Sequence, residues 1–196
     1  MDVEAGSAAL AAAGIWVRED FLAPAERRAL RQCAELRRQR GDFDAARIGA
    51  ERSLQRRADI RGDSTCWIVP PLLPPEEALL EELEHLRFGL NRDLVLGLFE
   101  LELHYAWYPP GAGYARHVDQ PSGTVERQLS LIVYLNEAWD CAAGGELRMF
   151  DADGGYRDIA PLAGRLVCFL TAGREHAVRR TQQDRVSISG WFRTRG

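Results

Sequence analysis

The second half of the chain limits the fold most. Between Leu98 and Phe192 it divides into short runs in which apolar and polar residues tend to alternate: 98–108, 127–135, 146–150, 156–159, 165–170 and 185–192. Turns rich in Gly, Asp and Pro separate them, and Asn136 ends the second run. Alternation with period two reads as strand, because successive side chains of an extended chain point to opposite faces. Many short strands at roughly even spacing predict an antiparallel fold closed as a barrel or a jelly roll.

The first half reads as helical support. Residues 3–13 predict a short helix stopped by Gly14, followed by a strand at 15–17. Pro24 suits the first turn of a second helix running to about Gln39, since a first-turn proline loses no helical hydrogen bond. Leu30, Cys33, Ala34 and Leu36 or Arg37 trace its apolar face, and its many arginines read as a solvated face. Residues 41–57, with Arg47, Arg52, Arg56 and Arg57, read as a mobile basic loop that is either merely solvated or a substrate-contacting flap. Residues 59–68 suggest two short strand segments around a turn. Pro75 opens a third helix, with Glu76 and Glu77 at its positive end and Leu79, Leu80, Leu83, Leu86 and Leu90 on one face. The expected architecture is mainly β with flanking helices that buttress one sheet from outside. The 196 residues suit a single domain, 1–97 supplying helical support and the substrate loop, 98–196 the core.

A net charge of −4 gives no general attraction to nucleic acid or to an anionic membrane. No apolar run approaches a membrane span, and the N-terminus lacks a basic region of signal-peptide type. Cys33, Cys66, Cys141 and Cys168 are scattered. They read as buried free thiols in a reducing compartment, which points to a cytoplasmic location and away from a zinc site.

The chemistry centres on Tyr114-Ala115-Arg116-His117-Val118-Asp119. At a strand end, His117 and Asp119 fall on one face, and a second histidine would complete a 2-His-1-carboxylate set of the kind that holds Fe(II), with Mn, Co or Ni as alternatives. His104 lies in an alternating strand and reads as a structural histidine, as does His85 on the third helix. His176 stands at the start of a strand, far enough beyond Asp119 for intervening strands to bring it back. Arg185 opens an apolar strand, and a buried guanidinium needs a partner. That partner is either a protein carboxylate or a dicarboxylate co-substrate, which the guanidinium fork fits in bidentate fashion. Tyr134 can add a phenolic hydrogen bond to the same carboxylate.

Taken together, these residues resemble the 2-oxoglutarate- and Fe(II)-dependent oxygenases, specifically the prolyl hydroxylase domain group. The resemblance runs from Asp59 onward: Ile60-Arg61-Gly62-Asp63 with Trp67, Tyr108-Pro109, Gly113-Tyr114-x-Arg116-His117-Val118-Asp119, Tyr134-Leu135-Asn136, Gly144-Gly145-x-Leu147, His176 and Arg185. It implies a double-stranded β-helix (jelly roll) and a dioxygenase using Fe(II), 2-oxoglutarate and O2, with ascorbate as a candidate accessory. It implies that His117, Asp119 and His176 bind the metal and that Arg185, with Tyr134 and Tyr108, binds 2-oxoglutarate. Tyr114, Arg116, Arg61, Asp63 and Trp67 then become the expected substrate contacts, although Arg61 and Asp63 suit an internal ion pair equally well. The implied partner is a protein carrying the target proline, and the expected enzyme is a monomer that needs neither membrane nor nucleic acid. Gln120-Pro121 stands where the family often has Asn-Pro, and the turn 109–113 is one residue shorter than usual. Two other readings compete. Arg179 and Arg185 reproduce the spacing of AlkB-type nucleic-acid dealkylases, and a non-catalytic jelly-roll module would keep the metal site alone.

Overall fold

The structure is a computed structural model that describes residues 2–47, 57, 59–120 and 126–195. Most of the loop expected at 41–57 lies outside the described residues. Within the part described, Asp44–Ala45 forms a two-residue strand.

Among the described residues, three helices precede the main strands. α1 spans Val3–Ala13, with Asp2 accepting from the Ala5 amide at its start and Gly14, at φ +66°, closing its end. α2 spans Pro24–Arg40 and α3 spans Pro74–Leu94, one residue earlier than the proline expected to start it. In each of these two, a glutamate in the first turn (Glu26, Glu76) accepts from the backbone amide just before the helix, at 2.7 and 2.9 Å. This satisfies a donor that the helix leaves unpaired.

Eleven strands follow in chain order among the described residues: β1 Ile15–Arg18, β2 Asp44–Ala45, β3 Ser64–Trp67, β4 Glu100–Tyr108, β5 Tyr114–His117, β6 Arg127–Tyr134, β7 Leu147–Phe150, β8 Tyr156–Ile159, β9 Leu166–Leu170, β10 His176–Val178 and β11 Arg185–Arg193. They form two antiparallel sheets, one ordered β1-β9-β6-β11-β4-β3-β2 and one ordered β5-β10-β7-β8. Two sheets of this order packed face to face are a jelly roll, as expected. Residues 59–63 form no second strand. Instead Arg61 makes a single bridge to Tyr114.

The central strands of the large sheet are buried on both faces, and alternation sorts their side chains. On the outer face Tyr105, Trp107, Leu129, Leu131, Val133, Val186, Ile188 and Cys168 share one core with Leu30 of α2 and Leu79, Leu83, Leu86 and Leu90 of α3. On the inner face Ile132, Tyr134, Val167 and Phe169 meet Leu147, Met149 and Ile159 of the small sheet. The polar residues at the intervening inner positions line the site described below.

The arginines of α2 are not all a solvated face. Arg37 turns inward and makes a bidentate pair with fully buried Glu76, both contacts at 2.7 Å. Arg31 and Arg38 lie over the Trp107 ring, whereas Leu36 is exposed. Tyr105 also donates to Glu76, at 3.1 Å, so one carboxylate ties α2, α3 and β4 together. Burial opposes its charge, but Arg37, the Leu73 amide and Tyr105 outweigh that and hold the carboxyl below its usual range. Glu76→Gln should therefore cost about 3 kcal/mol at neutral pH, because it strands the Arg37 charge. The folded pKa lies below the unfolded one. The contribution is thus present above the unfolded value of about 4.3 and is lost as pH falls through the folded value. Urea unfolding of both proteins across that range checks this: a difference that persists in acid would assign the effect to packing. Three cysteines are buried, as expected, but Cys141 is exposed because it opens a surface 3-10 turn.

Candidate active site

The smaller sheet brings the expected metal ligands together by register. β10 pairs with β5 so that His176 stands directly opposite His117, and the ring centroids are 4.2 Å apart. Asp119 follows the end of β5 and reaches both rings: its carboxylate oxygens lie 3.5 Å from His117 Nε2 and 3.6 Å from His176 Nε2. One ligand atom from each of the three residues falls within 4.8 Å of the others, the only such group of three or more among the described residues.

Neighbouring groups orient all three. His117 Nδ1 donates to the Ala115 carbonyl at 2.8 Å, and His176 Nδ1 donates to the Arg174 carbonyl at 3.2 Å. These bonds place the protons on Nδ1 and turn the Nε2 lone pairs inward, the tautomer a metal requires. The His117 ring stacks on Tyr114 at 3.6 Å, and the His176 ring meets the edge of Phe169 at 4.9 Å. Ser130 Oγ donates to Asp119 at 2.7 Å. Burial disfavours the Asp119 charge, yet His176, His117 and Ser130 keep its carboxyl far below the usual range. Two imidazoles and one carboxylate on a common face form a donor set that fits Fe(II).

A cavity opens beside this cluster, enclosing about 500 Å³ including its mouth. At one wall Arg185 is only 1% exposed. Its Nε donates to the Gly145 carbonyl at 2.8 Å, its Nη2 has no partner, and no carboxylate pairs with it among the described residues. The guanidinium lies 5.0 Å from the Tyr134 ring centre and 5.1 Å from that of Tyr108. The Tyr134 hydroxyl is likewise buried and without a hydrogen-bond partner among the described residues. The alternative of an internal salt bridge is therefore not what the structure contains. A buried cation and a buried phenol, both unsatisfied, make a seat for an anion.

Motif residues with no role readable from sequence hold this wall. Gly144 and Gly145, at φ +74° and +72°, aim the Gly145 carbonyl at Arg185, and a side chain on Gly144 would collide with the Arg180 carbonyl. Buried Asn136 accepts from the Val186 amide at 2.7 Å and donates to the Pro161 carbonyl at 2.9 Å, fixing the start of β11.

The sequence profile of the 2OG-Fe(II) oxygenase superfamily matches residues 103–193, from β4 to the end of β11. A prolyl-4-hydroxylase from Pseudomonas putida, known from its crystal structure, is 38% identical and superposes with a TM-score of 0.90, covering 99% of this chain and 100% of that one. The chain belongs to the 2OG-Fe(II) oxygenase superfamily. Human Egl nine homolog 1 is 31% identical over 189 residues, which is 91% of this chain and 43% of that protein. Across the human, rat and mouse forms the chain spans about half of their length, from 43% to 55%. A Trichoplax adhaerens prolyl hydroxylase, solved with a hypoxia inducible factor oxygen degradation domain peptide fragment, is 24% identical with a TM-score of 0.88, covers 97% of this chain and 88% of that one, and shares the fold. The cofactors of this superfamily are Fe(II), 2-oxoglutarate and O2, and the His-Asp-His cluster suits them.

The residues expected to touch substrate are distributed unevenly around this oxygenase site. Tyr114 and Arg61 line the cavity, and the Arg61 guanidinium lies 4.8 Å from the Tyr114 ring. Asp63 is turned to Arg61. It is 4% exposed and accepts both Arg61 nitrogens, at 2.7 and 2.9 Å. Arg-Gly-Asp is thus an internal pair, fastened by the Gly62 amide donating to the Gly113 carbonyl. Arg116 lies on the other face of β5, ion-paired with Glu175 and stacked on Phe150. Trp67 is half exposed beside His104 and Trp191. Arg179 pairs with Glu146 and Asp158 on the surface, which removes the structural basis of the dealkylase-like spacing. Sequence reasoning missed Ser130, and only its side-chain direction on β6 identifies it. Ser130→Ala should weaken metal affinity about tenfold, measured with Mn(II) against a competing chelator. An unchanged affinity would deny Ser130 this part.

Proposed function

We propose that this chain is a 2-oxoglutarate- and Fe(II)-dependent prolyl 4-hydroxylase that acts on a protein substrate. His117, Asp119 and His176 hold the metal, and Arg185, with the Tyr134 and Tyr108 hydroxyls, holds the distal carboxylate of 2-oxoglutarate. The observation that carries this reading is Arg185, a buried cation with no counter-charge among the described residues, on the wall of the cavity that contains the His-Asp-His cluster. Fe(II) bound there supplies oxidative decarboxylation of 2-oxoglutarate to succinate and CO2, with transfer of one oxygen atom to a substrate C–H bond. The protein's part is placement. The paired strands β5 and β10 set the two histidines, and Ser130 steadies the carboxylate.

Proline as the target is supported by the relatives rather than by a residue that names it. The Pseudomonas putida protein is a prolyl-4-hydroxylase, and the mouse and human relatives named Prolyl hydroxylase EGLN3 are 37% identical over 91 residues. Purified protein with Fe(II), 2-oxoglutarate and a synthetic peptide pool, each peptide carrying one central proline among randomised neighbours, tests the reading. The expected product is succinate together with a one-oxygen mass gain on proline. Succinate without proline oxidation would retain the oxygenase chemistry and reject the substrate. Repair of methylated single-stranded DNA or RNA instead would favour the dealkylase.

A further inference from the structure

The cavity contains a second unsatisfied polar centre, separate from the metal ligands and the anion seat. His104 is 3% exposed and lies on the inner face of β4, in line with Ala106 and Tyr108, and all three line the cavity. Its Nδ1 is buried with no hydrogen-bond partner among the described residues. The ring is held between Trp67, at 5.1 Å, and Trp191, at 5.4 Å. Trp191 Nε1, also on the cavity wall, is a buried donor likewise without a partner among the described residues. A buried polar atom left unpaired costs free energy, and two of them side by side on one wall mark where a ligand's acceptors belong.

Burial, with Arg61 adding to it, lowers the His104 pKa to about 4, so the ring is neutral near pH 7 and offers one N–H. A segment containing proline lacks one backbone N–H but keeps every carbonyl. A wall of donors therefore matches it better than a wall of acceptors. The half-exposed indole of Trp67 extends this wall to the surface, where a peptide would enter.

We propose that His104 is a substrate-positioning residue: its imidazole N–H hydrogen-bonds a backbone carbonyl of the peptide segment that carries the target residue, with the Trp191 indole N–H alongside. This rests on the prolyl hydroxylase reading. His104→Met keeps the bulk between the two indoles and removes the donor, whereas His104→Gln keeps an N–H donor. The probe is the best-hydroxylated member of the synthetic peptide pool. KM for that peptide should rise about tenfold in His104→Met, the effect of one lost hydrogen bond in a buried site, with kcat at saturating peptide within about twofold, and His104→Gln should recover most of the loss. Two results would overturn the role: an unchanged peptide KM in His104→Met, or an equal loss of 2-oxoglutarate affinity in both variants, which indicates a collapsed wall. If the wild-type protein hydroxylates no member of the pool, the prolyl reading falls and this role falls with it.

Discussion

Arg185→Met is expected to weaken 2-oxoglutarate binding more than about hundredfold while leaving the unliganded fold about as stable as before. The two halves of this expectation separate a ligand seat from a structural ion pair. Were Arg185 paired with a protein carboxylate, its removal would strand that charge and cost about 3–5 kcal/mol of stability. No such carboxylate is present among the described residues, and Arg185 keeps only the Gly145 carbonyl as partner. Losing that hydrogen bond costs about 1 kcal/mol, offset by relief of an uncompensated buried charge. Thermal unfolding without ligand and calorimetric titration of 2-oxoglutarate into the Mn(II)-loaded protein read the two halves independently. A large loss of stability with unchanged affinity would reverse the assignment.

The second large effect is on metal binding. His176→Ala should lower Mn(II) affinity by well over about a hundredfold, since loss of a supporting group alone commonly costs ten- to a hundredfold. His176 is one of three donors, and beyond its register partner His117 no further described histidine joins the cluster. The ring is also buried against Phe169, so the alanine variant opens a cavity. His176→Gln keeps more of the volume and serves as the packing control. Electron paramagnetic resonance of free Mn(II) measures the bound fraction directly. Retention of wild-type affinity by either variant would mean that the ligand set has been chosen wrongly.

Much of this site could be read in the sequence because its carriers are local. His117 and Asp119 lie two residues apart at a strand end, and Arg185 announces itself as a charge opening an apolar strand. What stayed hidden depends on register and direction. Ser130 and His104 are ordinary polar residues in alternating strands, and nothing local says which face points between the sheets. Once β11 sets Ser189 opposite His104 and Trp191 opposite Ser130, the inner face is fixed. Arg37 misled for the same reason. It sits among arginines that do face solvent, and only the approach of α3 brings Glu76 to it. Asp63 was legible as half of a pair with Arg61 but not as buried, since the segment is fastened by distant partners, the Gly113 carbonyl for the Gly62 amide and the Ala46 amide for the Asp63 carbonyl. The helices were more readable, since prolines, first-turn glutamates and Gly14 or Gly41 mark their ends within the chain itself.

The account rests on one cavity holding metal and 2-oxoglutarate together through residues contributed by opposite sheets. Succinate formed from 2-oxoglutarate under air, with and without added Fe(II), in wild type, His176→Gln and Arg185→Met, tests this directly. The account predicts Fe(II)-dependent succinate from the wild-type protein, none above background from His176→Gln, and from Arg185→Met a signal recovered only at far higher 2-oxoglutarate. Succinate release at the wild-type level from His176→Gln, or an unchanged 2-oxoglutarate requirement in Arg185→Met, would contradict it.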